Sequence, residues 1–472
     1  MISIDFNKIT NVTEDSREVD ENSVFVAIKG FKEDGHKYIK SAIDKGAKII
    51  VCANDFIISP SYQQMSFIKV AEPRIALSEI AATIYTPKPS NIVAITGTNG
   101  KTSVAYFFQQ IIHLLRKTSA SVGTLGVIAD HFTIDSKLTT PSTAQLHKIL
   151  QHLSRKKIDY VALEASSHGL HQHRLDHIKL KAAAITNFSH EHLDYHHTMD
   201  EYFLAKMSLF SRILLDNTFA IINADIKEYK QIASICTKRK QQIISYGYNS
   251  EYLKITLIEQ RPTMLKVNLY ANKENYYLTF PNVTGDFQAY NIMCAIGLVI
   301  ACGFALSEIL PVVSALHSAP GRMQKIENSN IFIDYSHKPE ALEKALQVLR
   351  GSFAGKLIVV FGCGGDRDQV KRPIMGEIAD KYSDLVIVTD DNPRNENPQL
   401  IRDEILKKCP RAIEISNREH AIEYAVKAIS STQDVLLIAG KGHEAYQIVG
   451  DRVFEFDDYK IAKKYLQQPK NT

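Results

Sequence analysis

The sequence predicts an α/β protein of three domains: a small N-terminal domain, a central domain on a P-loop-type parallel sheet with an antiparallel insertion, and a C-terminal Rossmann-like doubly wound domain. Three observations predict it. The chain has 472 residues, room for roughly three domains of about 150. Short apolar runs alternate with longer amphipathic segments, the pattern of parallel strands wrapped by helices. Two breaks, Thr86-Pro-Lys-Pro-Ser90 and Ser318-Ala-Pro-Gly321, interrupt that alternation and divide the chain at 1–88, 89–320 and 321–472.

In chain order, Ser23–Ile28 and Ala47–Cys52 read as strands of the first domain. Asn91–Thr96 opens the central domain as a buried strand, followed by Tyr160–Leu163, Ala182–Thr186 and Phe219–Asn223. Between Lys254 and Phe280 apolar and polar residues alternate, as in Lys266-Val-Asn-Leu-Tyr270, which predicts the antiparallel insertion. Asn330–Asp334, Leu357–Phe361, Leu385–Thr389 and Val435–Ala439 are the strands expected of the third domain.

Composition excludes several classes. Hydrophobic residues make 45% and charged residues 23% of the chain, a globular balance rather than a disordered or coiled-coil one. Lys and Arg number 56 against 52 Asp and Glu, and the surplus of +4 is not gathered into a polybasic run, so no nucleic-acid partner is expected. The apolar run Ile292–Leu306 is shorter than the roughly 20 residues needed to span a bilayer, so a buried helix is expected and no membrane partner. Six cysteines without a C-x-x-C pair, and a Met1–Lys8 stretch too charged for a signal segment, point to a cytoplasmic address. A monomer is expected.

The strand Asn91–Thr96 runs into Gly97-Thr98-Asn99-Gly100-Lys101-Thr102-Ser103 and then a helix-compatible segment. Glycines let the backbone approach a ligand, and successive N–H groups with a helix N-terminus make a cradle for a polyphosphate. Lys101 would reach the outer phosphates and Thr102 would place its hydroxyl on Mg²⁺. Ile95 stands where the strict P-loop pattern has its first glycine. Eight of the 17 histidines fall between His168 and His197. A zinc hydrolase would account for them, but no H-E-x-x-H occurs. Most, including His171, His173, His177 and His197, read as surface or supporting groups, and only His192 as a direct participant. Glu164 follows an apolar strand at the edge where open α/β sheets bind ligands, and is suited to a nucleotide-bound Mg²⁺.

Together Thr96–Thr102, Glu164-Ala-Ser-Ser-His-Gly-Leu170, Thr186-Asn-Phe-Ser-His-Glu-His-Leu-Asp194, Ala205-Lys206, Gly285–Asn291, Pro320-Gly-Arg-Met323, Asp334-Tyr-Ser-His-Lys-Pro339 and Gly362-Cys-Gly-Gly-Asp-Arg-Asp368 resemble the Mur ligase family, over nearly the whole chain. The resemblance implies an ATP-dependent carbon–nitrogen ligase of peptidoglycan synthesis, adding meso-diaminopimelate to the D-glutamate of UDP-N-acetylmuramoyl-L-alanyl-D-glutamate through an acyl phosphate. It implies that Thr102, Glu164 and His192 hold or support Mg²⁺, and that Lys206 carries a carboxylate able to hold a second Mg²⁺. Asn291, Arg322, Asp334 and His337 would meet ATP, the last two on closure of a moving third domain. Ser16, with Asp15-Ser-Arg17 and Asp34-Gly-His36, would meet the uridine nucleotide. Thr139, Thr140, Ser166, Gln172 and Arg174 would grip the muramoyl dipeptide, Arg174 as a guanidinium fork for an anion.

The added amino acid is expected to be chosen by Asp391, Asn392, Pro393 and Arg394, with Arg367, Gly440 and Glu444. Meso-diaminopimelate exceeds lysine by one distal carboxylate, which Arg394 could pair through two parallel N–H···O bonds; leaving that arginine unpaired costs about 3–5 kcal/mol. Glu444 suits the distal ammonium. Two positions depart from the family pattern: Leu138, where a polar asparagine is usual, and His197, where a glycine is usual and a reshaped backbone is expected. The alternatives are a related ligase adding L-lysine or another amino acid, or acting on folate, and a catalytically dead nucleotide-binding protein, which would have lost Lys101, Glu164 or Lys206.

Overall fold

The computed structural model describes residues 9–468 except 31, 32, 63, 137 and 263; the Met1–Lys8 stretch lies outside the described residues. Two compact units result, one of residues 1–253 with 293–309 and the other of residues 254–292 with 310–472.

The first unit begins with a four-stranded, all-parallel sheet in chain order: β1 (Asn11–Thr13), β2 (Ser23–Val26), β3 (Ile49–Ala53) and β4 (Ser66–Val70). Its side chains alternate faces as the pleat requires. Val24, Val26 and Val51 pack with Ala76, Leu77 and Ile80 of the helix Pro73–Ile84, while Phe25, Ile50 and Cys52 pack with Ile39 and Ala42 on the other side.

The larger sheet of this unit contains β5 (Asn91–Thr96), β6 (Ser119–Gly123), β7 (Gly126–Ala129), β8 (Phe132–Ile134), β9 (Tyr160–Glu164), β10 (Ala182–Ile185), β11 (Phe219–Asn223) and β12 (Gln242–Gly247). Their order is β12-β11-β10-β5-β9-β6-β7-β8. Pairing is parallel from β12 to β6 and antiparallel from β6 to β8. The helix Thr143–Arg155 shows why such segments cover the sheet: Leu146, Ile149, Leu150 and Leu153 recur at helical spacing and all enter the core. Because later strands flank β5 on both sides, its carboxyl end is a topological switch point, the place where an open sheet leaves a crevice.

In the second unit β13 (Leu253–Arg261), β14 (Met264–Ala271) and β15 (Glu274–Phe280) form the expected antiparallel meander. The remaining sheet joins β16 (Gln324–Lys325), β17 (Ile331–Asp334), β18 (Leu357–Phe361), β19 (Leu385–Val388), β20 (Ile413–Glu414) and β21 (Val435–Ala439). Its order is β16-β17-β21-β18-β19-β20, parallel except at β16. Separate cores cover its two faces. A small ribbon, β22 (Tyr446–Val449) with β23 (Arg452–Glu455), stands outside it. The run Ile292–Leu306 contributes to the helix Phe287–Ala301, and among the described residues no helix is long and apolar enough to cross a membrane.

Candidate active site

Three neighbouring strands of the first unit deliver the phosphate site: β5 ends in the glycine loop, β9 in Glu164, and β10 leads into Thr186. Gly97 (φ +138) and Gly100 (φ +87, the cap of the helix Lys101–Leu114) occupy backbone conformations that favour glycine. A Cβ on Gly97 would lie 1.9 Å from Thr186 Oγ1, so the loop after β10 is packed hard against the glycine turn. Hydrogen bonds weld the two loops. Thr98 N donates to Asn187 O (3.0 Å), Asn99 N to Asn187 Oδ1 (2.9 Å), Thr186 Oγ1 to Asn99 O (2.6 Å) and Ser189 N to Thr98 Oγ1 (3.0 Å).

Two lysines converge on one carbonyl. Lys101 Nζ and Lys206 Nζ each donate to Gly97 O at 2.8 Å, Lys101 also reaching Thr98 O at 2.9 Å. Lys206 is 1% exposed, with the Tyr202 ring 4.4 Å from its ammonium. Burial, reinforced by Lys101, holds its pKa well below that of a free lysine. Glu164 is 2% exposed and is no surface acid: its Oε2 accepts from Thr102 Oγ1 (3.0 Å) and Thr124 Oγ1 (3.2 Å), its Oε1 from Thr124 N (2.8 Å). Ser103 is buried one position further along the same helix. His192 caps the short helix Leu193–His196, its ring edge-on to His168 at 4.8 Å, and burial followed by the charges of Lys101 and Lys206 lowers its pKa.

The residues expected to grip a dipeptide form one hydrogen-bonded group beside Glu164. Thr139 and Thr124 hydroxyls are 3.1 Å apart, and Thr140 Oγ1 donates to Glu164 O (2.7 Å) and accepts from Ser166 N (3.0 Å). Arg174 donates to Thr140 O (2.6 Å) and Gln172 Oε1 (2.7 Å). Ser16 and Asp34 lie instead past β1 and β2 of the first sheet, each in a short 3₁₀ segment or its cap.

The second unit carries the remaining candidates. Asn291 donates to Gln288 Oε1 (2.8 Å). Asp334 Oδ2 accepts from Met323 N (2.7 Å) and its Oδ1 bonds the Ser336 hydroxyl; burial raises its pKa. Arg322 lies over the Tyr335 ring at 4.4 Å, and burial lowers His337 to about 4. Loops after β18, β19 and β21 gather the others. A Cβ on Gly365 would sit 1.9 Å from Pro393 O, so the paired glycines of the Gly362–Asp368 loop exist to admit the Asp391–Arg394 loop. Arg394 Nη1 donates to Gly365 O (2.8 Å), while Arg394 Nε and Nη2 have no partner among the described residues. Glu444 Oε2 accepts from Asn392 Nδ2 (3.0 Å), and burial raises its pKa. Gly440 (φ +113) abuts the Asp391 carboxylate, and Arg367 is exposed with its guanidinium on Asp366 O (3.3 Å).

Models of the Mur ligase family's catalytic domain, middle domain and glutamate ligase domain match residues 8–85, 95–299 and 321–442. The chain is 41% identical to the UDP-N-acetylmuramoyl-L-alanyl-D-glutamate--2,6-diaminopimelate ligase of Rickettsia montanensis, over 98% of this chain and 96% of that one. The chain belongs to the Mur ligase family. A solved structure of a UDP-N-acetylmuramoyl-L-alanyl-D-glutamate--2,6-diaminopimelate ligase aligns with TM-score 0.74 at 29% identity, covering 98% of this chain and 97% of that one. MurF ligase from Thermotoga maritima in complex with ADP shares the fold, with TM-score 0.63 at 17% identity over 98% of each chain.

His197 takes φ +59, ψ −39, a conformation that glycine enters far more readily. Leu138 projects to solvent at 44% exposure. Sequence reading missed Thr124, whose N–H and hydroxyl both serve Glu164; the signal is Gly123, where a Cβ would strike Glu164 Oε1 at 2.0 Å.

The implied Mg²⁺ fits the donor set. Thr102 Oγ1 and the Glu164 carboxylate are hard oxygen donors at the phosphate loop.

Proposed function

We propose that this Mur ligase joins meso-diaminopimelate to the D-glutamate carboxylate of UDP-N-acetylmuramoyl-L-alanyl-D-glutamate, at the expense of ATP, in peptidoglycan synthesis. The observation that carries the reading is the convergence of Lys101, Lys206 and Glu164 at the carboxyl ends of adjacent strands, beside the Thr139–Arg174 group. The names of the relatives supply the amino acid and the acceptor.

A carboxylate resists attack by an amine, and two anions resist phosphoryl transfer, so the site must gather positive charge and align the reactants. Lys101 and the N–H groups of residues 97–103 hold the outer phosphates. Arg174, Thr139, Thr140, Ser166 and Gln172 hold the dipeptide so that its free carboxylate faces the terminal phosphate; phosphate transfer then yields the acyl phosphate. The amino group attacks its carbonyl carbon, loses a proton, and the resulting tetrahedral species expels phosphate as the amide forms. Thr102 and Glu164 would hold Mg²⁺, with His192 supporting them; that ion supplies charge neutralisation for the phosphates. Lys206 lacks a carboxylate partner among the described residues, and a lysine whose pKa is depressed by burial is readily the neutral amine that takes up CO₂ as a carbamate, which would hold a second Mg²⁺. Asn291, Arg322, Asp334 and His337 are assigned to ATP, Ser16 to the uridine nucleotide, and Arg367, Asp391, Asn392, Pro393, Arg394, Gly440 and Glu444 to the incoming amino acid. Six free thiols suit a reducing cytoplasm.

The deciding experiment incubates the protein with ATP, Mg²⁺, the UDP-muramoyl dipeptide and a panel of amino acids including meso-diaminopimelate and L-lysine. A product heavier by one diaminopimelate residue, with stoichiometric ADP, is expected; a lysine-containing product alone would overturn the assignment.

A further inference from the structure

The Asn392 side chain is 2% exposed and nearly saturated. Its Oδ1 accepts from Lys441 Nζ and from Ile448 N, both at 3.0 Å, which occupies both lone pairs, and its Nδ2 donates to Glu444 Oε2 at 3.0 Å. One carboxamide therefore ties together the loop after β19, the loop after β21 and the β22 strand. Lys441 is the least expected member. Its ammonium is fully buried, 3.6 Å from Glu444 Oε2, with the Tyr446 ring at 5.6 Å. Burying an ammonium is unfavourable unless it is hydrogen-bonded and paired, and here the bond goes to Asn392 and the pairing to the Glu444 carboxylate, both assigned to the incoming amino acid.

A second set of bonds fixes the same loop from the ribbon. Gln447 Nε2 donates to Asp391 O (2.7 Å), Arg394 N to Ile448 O (3.2 Å) and Gly450 N to Arg394 O (2.7 Å). Arg394 has φ +51, an uncommon conformation for a residue with a Cβ, and these bonds are what hold it there. That conformation presents the Nε–Nη2 edge of Arg394 with no protein partner among the described residues, an edge that matches a carboxylate in two parallel bonds.

We infer that Lys441 and Gln447 are specificity-determining positioning residues: through Asn392 and the ribbon they set the Arg394 guanidinium and the Glu444 carboxylate at the spacing of a distal ammonium–carboxylate centre, so that an amino acid with such a centre is selected by groups that never touch it. The inference rests on the proposed diaminopimelate-adding activity. The parent chain is therefore assayed first, and failure to use meso-diaminopimelate there would remove the activity itself rather than the role of these residues.

Given that activity, the test is Lys441→Met, with Lys441→Gln as the partial replacement that keeps an N–H for Asn392, and Gln447→Leu as an independent variant on the half-buried ribbon. Lys441→Met is expected to raise the KM for meso-diaminopimelate at least about tenfold and to lower the preference for meso-diaminopimelate over L-lysine by a similar factor, with the KM values for ATP and the UDP-muramoyl dipeptide unchanged. Lys441→Gln should recover part of the preference. Gln447→Leu should move it in the same direction by a smaller factor, and decides the matter if Lys441→Met does not fold. An unchanged preference in the folded variants, or equal losses for all three substrates, would overturn the inference.

Discussion

The phosphate loop and the Asp391–Arg394 loop both lie at the carboxyl ends of parallel strands, yet they are held by different means. Around Gly97 each of the bonds described above has a main-chain group at one end: residues 98–99 pair with 186–189, and Gly97 O receives two lysine side chains. Around Arg394 bonds between two side chains are added, with Lys441 and Glu444 reaching back to the Asn392 carboxamide while Gln447 holds the Asp391 main chain. A polyphosphate is read by any cradle of N–H groups, so backbone suffices; choosing between two amino acids that differ by one carboxylate requires side chains at set distances.

The sharpest way to break this contrast is at Lys101 and Lys206. Lys101→Met or Lys206→Met should lower ADP release about 10³-fold whichever amino acid is supplied, since the first removes a cation from the phosphates and the second removes the amine assigned to the carbamate. Retention of more than a tenth of the parent rate would show that the lysines over Gly97 are structural. At the other loop, Arg394→Ala should reduce the preference for meso-diaminopimelate over L-lysine by on the order of a hundredfold, with ATP affinity by calorimetry unaltered. An unchanged meso-diaminopimelate KM would remove Arg394 from the site.

Acid should sharpen the comparison through the first unit's core. His147, fully buried on the helix Thr143–Arg155, is lowered to about 3 by burial and then by the charge of Lys88. As pH falls below the 6.5 of an exposed histidine the unfolded chain takes up the proton first, so stability is complete above that value and is shed between 6.5 and about 3. By pH 5 the loss from this residue is about 2 kcal/mol. Urea midpoints at pH 7 and 5 should show it, and His147→Met should flatten the fall. The smallest effect is expected at His197→Gly: relief of a positive-φ side chain outweighs the added freedom of the unfolded glycine by up to about 1 kcal/mol. A lower melting temperature would mean that the imidazole makes compensating contacts.

What could be read from the sequence follows the same division. Strands β5, β9, β10, β11, β17, β18, β19 and β21 announce themselves as apolar runs because both their faces are buried. Strand β6, Ser119-Ala-Ser-Val-Gly123, is equally buried but built of small residues, one of which must leave room for Glu164, and it gave no such signal. Glu164 was legible because it ends an apolar strand, and Lys101 and Thr102 because they close the glycine turn that joins a strand to a helix. Lys441 and Gln447 were not, since a buried lysine and a surface lysine look alike until the three-dimensional pairing of Asn392 is known.

Every residue of β23 is exposed, and the ribbon it forms with β22 makes its main bonds to the loop it braces. Solvent-facing hairpins tolerate mutation and changes of length far better than cores do. Substrate choice in descendants of this chain therefore has an evolutionary handle outside the contact residues: drift in a peripheral hairpin can retune which amine is accepted while the reaction chemistry stays intact.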